Sequence, residues 1–245
     1  MTDTKNIETA LREALTAQSK REETFPRKTF YASSMGMCPR KQIAERAGLP
    51  SPKPLDQHSQ FKMGLGTVAG RWVSDLLLTQ GFLDPAWTEK RFELGGYSGR
   101  PDGYTARLPL GAIVEIKTVD DRAVKHHDLP EHYLWQALWY GLAAEVHQVI
   151  IFMVGRNQGL AKHQVVALTP EWKAKLTDEM AAMAGAWEAY LVSKHLPPCR
   201  HRFGWEDKWC AYREAKAFTK PNGAIDWEQV DRADAQRRQE AQATT

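Results

Sequence analysis

The sequence predicts an α/β fold, a mixed sheet flanked by helices, and three observations carry that prediction. Short runs rich in β-branched residues alternate with stretches whose apolar residues recur at helical spacing. One run, Gln148 to Val154, is almost continuously apolar and reads as a strand buried on both faces. The order strand, strand, strand, helix, strand, strand, with helices before and after, describes one mixed sheet with helical cover. A length of 245 residues with 42% hydrophobic content is enough for a sizeable core.

Taken in order, Ile7, Leu11, Ala14 and Leu15 mark a first helix over 6–20, ended by Arg21-Glu22-Glu23 and Pro26. Ser34 is placed to cap a turn or helix, and Pro39 suits a first helical turn. Residues 51–60 are polar and proline-rich, hence a loop. Phe61 to Phe82 reads as a long helix with Leu65, Val68, Trp72, Leu76 and Leu77 on its packed face, stopped by Gly81. Trp87 to Leu94 reads as a strand, with Phe92 and Leu94 on one face and Glu89, Arg91 and Glu93 on the other. Tyr97 to Val119 forms two strands joined by a turn at Leu108-Pro109-Leu110-Gly111. Asp120 to Pro130, with His126 and His127, reads as a charged, exposed loop. A helix follows over Glu131 to Val146, with Leu134, Leu138 and Leu142 on one stripe. Two strands follow, Gln148 to Val154 and His163 to Leu168. Thr169-Pro170-Glu171 starts a helix that runs to about Lys194, with Leu176, Met180, Met183, Trp187 and Leu191 lining its core face. The organisation expected is a lead-in over 1–29, a main domain over 30–218 and a polar tail over 219–245, with a short helix around Trp227 and Val230.

The net charge of +3 and a pI near 8.7 permit a nucleic-acid partner without demanding one. Nine tryptophans offer faces for unpaired bases, but core filling is the ordinary use of Trp. No apolar run reaches the ~20 residues of a membrane span, and Met1 to Asn6 lacks the features of a signal peptide. Three widely spaced cysteines do not form a disulfide framework. A cytoplasmic protein without a membrane partner is the expectation.

The stretch from Tyr97 to Val119 carries the chemistry. Glu115 and Lys117 share one strand face, while Val114 and Ile116 turn toward a core. If the turn centres between Leu108 and Pro109, Asp102 sits opposite Glu115, with Cβ atoms about 5 Å apart. Two carboxylates at that separation repel, so such a pair calls for a cation. Oxygen ligands suit Mg²⁺ or Mn²⁺, and Mg²⁺ takes one or two protein carboxylates plus water and substrate phosphate. Lys117 then supplies a point charge near an attacking water or a phosphate oxygen. The alternative is a surface salt bridge between Glu115 and Lys117, with Asp102 capping a turn.

Pro101-Asp102 and Glu115-Ile116-Lys117 resemble the signature of the PD-(D/E)XK nuclease superfamily, above all its RecB-type and CRISPR-associated exonucleases and their phage-encoded relatives. The resemblance covers roughly residues 30–215 and implies a restriction-endonuclease-like fold with an αβββαβ core. It implies metal-dependent hydrolysis of DNA phosphodiesters, with Asp102, Glu115 and the Ile116 carbonyl on the ion. Gln136 and Tyr140, at i and i+4 on one helix face, resemble the Gln-x-x-x-Tyr pair that lies beside the carboxylates in RecB-like nucleases. Glu89 matches a Glu that supports the metal or its water in relatives, although a solvated strand face explains it equally well. Relatives often bind metal through a histidine one turn after the glycine matching Gly66. Here that position is Gly70, followed by Arg71, which suits a phosphate or a solvated helix face.

Ser34-x-x-x-Cys38-Pro39-Arg40 resembles the element that opens the RecB-like domain, where the Arg lies near DNA and the Cys binds an iron–sulfur cluster. Cluster-bearing relatives add three C-terminal cysteines; this chain offers only Cys199 and Cys210. Three readings follow: a cluster with a non-cysteine ligand, a Zn²⁺ held by the three cysteines and His201, or loss of the site, which the missing cysteine favours. The function implied is an exonuclease acting on DNA ends in recombination or repair, alongside a recombination partner protein. The alternatives are a DNA-end binding partner with a weakened site and a metal-clipped structural module.

Overall fold

The computed structural model describes residues 26–51, 56–88, 90–126 and 129–212, with isolated positions at 9, 13, 14, 226, 228, 229 and 232. Most of the helix expected over 6–20 and of the one around Trp227 falls outside the described residues, as do Glu89 and His127. The elements run β1 Phe30–Tyr31, α1 Pro39–Ala47, α2 Gln57–Thr79, β2 Phe92–Leu94, β3 Tyr97–Gly99, β4 Gly103–Thr105 and β5 Ala112–Val119. Then come α3 Asp121–His126, α4 Glu131–Ala143, β6 Gln148–Gly155, β7 Ala161–Ala167, α5 Pro170–Ser193 and α6 Gly204–Trp209. The fold is the expected α/β one with flanking helices, but the strands form two sheets rather than one, β1-β3-β2 and β4-β5-β6-β7, and the first strand expected from Tyr97 splits into β3 and β4 between them. The chain divides into two compact units: one holds Leu55–Glu93 and Gly99–Ala174, the other Thr24–Pro54, Leu94–Ser98 and Lys175 onward.

The first unit is built on a four-stranded sheet ordered β4-β5-β6-β7. β5 and β6 are parallel and central, which is why both read as near-continuous apolar runs. α3 and α4 make the crossover between them. β4 and β7 close the sheet as antiparallel edges. β7 is largely exposed and carries Lys162 and His163, polar groups that discourage further strand pairing. α4 is apolar nearly all round, with Trp135, Ala137, Leu138, Trp139 and Tyr140 buried.

Four expectations need correction here. The helix expected over Phe61 to Phe82 begins earlier, at Gln57, because Asp56 accepts a hydrogen bond from the Ser59 amide. Of its expected packed face only Leu77 faces the core. Leu65, Val68, Trp72 and Leu76 are exposed, whereas Val73, Leu77 and Leu78 pack on the cluster of Leu83, Ala112, Val114, Ile116 and Ile150. The side nearest β5 is carried by small residues. A Cβ on Gly66 would lie 3.1 Å from Thr118 Oγ1, and Ser74 Oγ donates to the Asp102 carbonyl at 3.2 Å. The strand expected over Trp87 to Leu94 shrinks to β2, outside the four-stranded sheet. Pro85–Trp87 is a 3₁₀ turn capped by Asp84, and the Trp87 ring stacks on Tyr104 with centroids 4.4 Å apart. The loop expected from Asp120 contains α3, whose Val124 is buried and whose buried Asp121 accepts from the Asn157 and Gln158 amides.

In the second unit, Pro39 occupies the first turn of α1 as expected, and Gly48 ends the helix in the left-handed region at φ 78. β1 pairs in parallel with β3, Phe30 against Tyr97. The Arg46 guanidinium lies 4.5 Å from the Phe30 ring centroid and 4.2 Å from that of Trp187. α5 buries Leu176, Met180, Met183, Trp187 and Tyr190. Leu191, expected in the core, is exposed. The stripe advances by alternating steps of four and three, and the last step lands on Tyr190.

The turn that sets the β4–β5 register depends on Gly111, at φ 61, where an added Cβ would overlap the Tyr104 ring. That ring is itself stacked on Trp87 and has little room to yield. Gly111→Ala is expected to destabilise the protein by about 1–3 kcal/mol, read as a lowered urea midpoint.

Candidate active site

The register Gly103↔Val114, Tyr104↔Ile113 and Thr105↔Ala112, continued one step, sets Asp102 opposite Glu115. Asp102 Oδ2 accepts from the Ile116 amide at 2.6 Å, fastening the carboxylate to the edge of β5. Glu115 and Lys117 project from the same face of β5, and Lys117 Nζ donates to Glu115 Oε1 at 2.7 Å. Ile116 turns the other way into the core with Val114. From α4, Gln136 closes the arrangement. Its Nε2 donates to Glu115 Oε1 at 2.8 Å, and its Oε1 accepts from Lys117 Nζ at 2.8 Å. Tyr140, one turn on and buried, offers its hydroxyl to Gln136 Nε2 at 3.5 Å.

One residue escaped the sequence reading. Lys117 Nζ lies 4.9 Å from the centroid of the Tyr133 ring. Tyr133 precedes Gln136 by three and Tyr140 by seven, so the three share one face of α4; extending the i, i+4 pair by one turn toward the N-terminus would have found it.

The electrostatics follow from crowding two acids. Burial, then the charge of Glu115, pushes the Asp102 carboxyl up to about 7, against the opposing pull of the Ile116 amide and Lys117. Burial pulls the Lys117 ammonium down, but the charge and hydrogen bond of Glu115, with Asp102, outweigh it and hold it above its ordinary value. The lysine is therefore charged. Glu115 Oε2 is buried and has no hydrogen-bond partner among the described residues. A buried carboxylate oxygen left unpaired beside a second acid fits a hard divalent cation taking oxygen ligands.

The other residues singled out in the sequence are placed as follows. Arg71 is exposed on α2. A Cβ on Gly70 would meet nothing within 4 Å, so the position has open space above it. Gly70 lies one turn from both Gly66 and Ser74. Ser34 and Arg40 belong to the second unit. Ser34 is buried in the 3₁₀ turn Ala32–Ser34, and Arg40 Nη1 donates to the Pro197 carbonyl at 3.3 Å.

The second unit also gathers Cys38, Cys199, His201 and Cys210, with one ligand atom from each lying within 4.8 Å of all the others. The missing fourth cysteine favoured loss of this site; the four groups nevertheless converge. All three thiols are free. The hydrogen bond from Cys210 pushes Cys38 down to about 5 despite burial, while burial pushes Cys199 up to about 11. The set suits a soft ion held by sulfur and nitrogen. It lacks the fourth cysteine of the iron–sulfur cluster that the family resemblance implies, so a cluster here would need His201 as its non-cysteine ligand.

The sequence matches no family model and no curated protein. Among solved structures, the fold is similar to that of SSO0001, with a TM-score of 0.55 at 19% identity over 84% of this chain and 94% of the other. An alkaline exonuclease, LHK-Exo from Laribacter hongkongensis, in complex with dAMP, gives a TM-score of 0.47 at 14% identity over 74% and 96% of the two chains. A phage related exonuclease from Haemophilus somnus 129PT gives 0.37 at 15% over 68% and 96%. Among the described residues, no helix is long and apolar enough to cross a membrane.

Because the folded protein raises the Asp102 carboxyl to about 7, folding favours its protonated form. That contribution is fully present below the unfolded value of about 4 and is lost as pH rises through about 7. In EDTA, Asp102→Asn is expected to melt close to wild type at pH 4 and several degrees above it at pH 8. Parallel melting curves across that range would contradict the assignment.

Proposed function

We propose that the chain is a divalent-metal-dependent deoxyribonuclease of the PD-(D/E)XK type, acting on DNA ends in recombination or repair. The observation that carries this reading is the convergence of Asp102, Glu115, Lys117 and Gln136, with a buried Glu115 oxygen left over. The bland alternative, a surface salt bridge, accounts poorly for it: Glu115 is 4% exposed and its partners come from two elements.

Asp102 and Glu115, with the Ile116 carbonyl, would hold Mg²⁺ or Mn²⁺. Such an ion polarises a phosphoryl oxygen and lowers the pKa of a bound water. Lys117, charged and held by two acceptors, presents its ammonium beside the acids, where it would orient an attacking water or offset negative charge on a bound phosphate. Gln136 keeps Lys117 and Glu115 in register, and Tyr140 backs Gln136. Tyr133 limits the approach to the ammonium. Arg71 offers an exposed charge to the DNA backbone. A DNA-end binding partner with a weakened site is the second reading, favoured by Gly70 standing where relatives carry a histidine.

The deciding experiment incubates end-labelled linear and closed circular DNA in Mg²⁺, Mn²⁺ and EDTA. Loss of linear substrate alone, in metal alone, supports an exonuclease; binding without degradation in Mn²⁺ selects the second reading. Asp102→Ala and Lys117→Ala should each lower the rate by about 100-fold or more with the fold intact. Retained activity in both removes the mechanism. The Mg²⁺ concentration for half-maximal cleavage should fall as pH rises through about 7, where Asp102 ionises. Gly70→His, which has space for its side chain, should fold normally and lower the Mn²⁺ requirement several-fold.

A further inference from the structure

We propose that Cys38, Cys199, His201 and Cys210 bind a single Zn²⁺, that His201 is a true fourth ligand, and that Glu206 positions the site. The inference stands apart from the nuclease reading, since every residue it uses lies in the second unit.

Size decides the kind of metal group. Around one tetrahedral zinc, with Zn–S about 2.3 Å, neighbouring sulfurs lie about 3.8 Å apart. Ligand atoms already within 4.8 Å of one another need to draw in only slightly to reach that spacing. A four-iron cage attaches each thiolate to a different iron, so its sulfurs stand outside the cage and well separated. The composition agrees with the size. Three thiolates and an imidazole complete the four-coordinate N/S set of a structural zinc and leave no open position for a substrate.

The surroundings are arranged for such an ion. Cys38 is fully buried at the head of α1, and the backbone of Lys41 and Arg200 favours its thiolate. Glu206, 2% exposed on α6, accepts from the Cys38 amide at 2.7 Å. Its other oxygen accepts from the amides of Arg202 and Phe203 at 3.1 and 3.2 Å. One carboxylate thus grips both ligand-bearing segments, Cys38 and the loop holding His201, across 168 residues of chain. Three thiolates on Zn²⁺ leave one net negative charge, and the Arg40 guanidinium acts on Cys199 in the opposing sense. The zinc therefore clips the start of the second unit to its end. The soft ligands here and the hard oxygens of Asp102 and Glu115 sort two different ions within one chain.

The test is metal analysis of full-length protein purified without a metal-affinity step, from cells grown with both iron and zinc. One zinc per chain, without iron or acid-labile sulfide, is expected; iron with sulfide overturns the proposal, as does failure to retain added Zn²⁺ on dialysis. Substitution with Co²⁺ should give the sulfur-to-metal absorption of three thiolates, intensified in His201→Cys, which keeps the ion. His201→Ala should weaken zinc binding by more than the about 10- to 100-fold typical of an outer partner, and Glu206→Gln by about that range. Unchanged Co²⁺ spectra in both His201 variants would show that the imidazole is not a ligand. Each readout is of the metal itself, so the result is independent of whether DNA is cleaved.

Discussion

The hydrogen bond from the Ile116 amide to Asp102 Oδ2, at 2.6 Å, is the constraint on which the first unit's polar cluster depends. It holds one acid against the strand that carries the other, so that two like charges are kept close by backbone rather than by flexible side chains. The β4–β5 register, the Gly111 turn and the small residues along α2 all serve that one contact. They bring the end of β4 to β5, and they let α2 approach closely enough for Ser74 to hold the Asp102 carbonyl.

The remaining groups follow from the same placement. Once Glu115 is fixed on a buried strand, its charge needs partners from the side, and α4 supplies Gln136 because the parallel β5–β6 pairing requires a crossover over that face. The helix that satisfies topology therefore also completes the polar cluster. The result is an acid with a raised pKa beside an ammonium held charged.

How much of this was legible in the sequence depended on whether a local rule governed the residue. The opposition of Asp102 and Glu115 was readable because hairpin pairing is symmetric about its turn, and the facing of Glu115 and Lys117 because strands alternate. The face of α2 was misread because counting apolar residues selects Leu65, Val68, Trp72 and Leu76, whereas close approach to a sheet selects Gly66 and Ser74. The strand at Trp87 was over-extended because Pro85 and Asp84 start a 3₁₀ turn that β propensity does not register. The meeting of Cys38 with Cys199, His201 and Cys210 was hardest to see. Nothing local links segments that far apart, and a missing cysteine argued against a site that an imidazole can complete.

The tethering of Lys117 has a last implication. A lysine stem ordinarily samples many rotamers and must give up that freedom when it meets an anion. Here the ammonium is already bound by Glu115 and Gln136 and sits near the Tyr133 ring, so its stem has settled before any ligand arrives. An incoming phosphate would meet a charge that is stationary in advance, and the entropy of arranging it has been spent during folding.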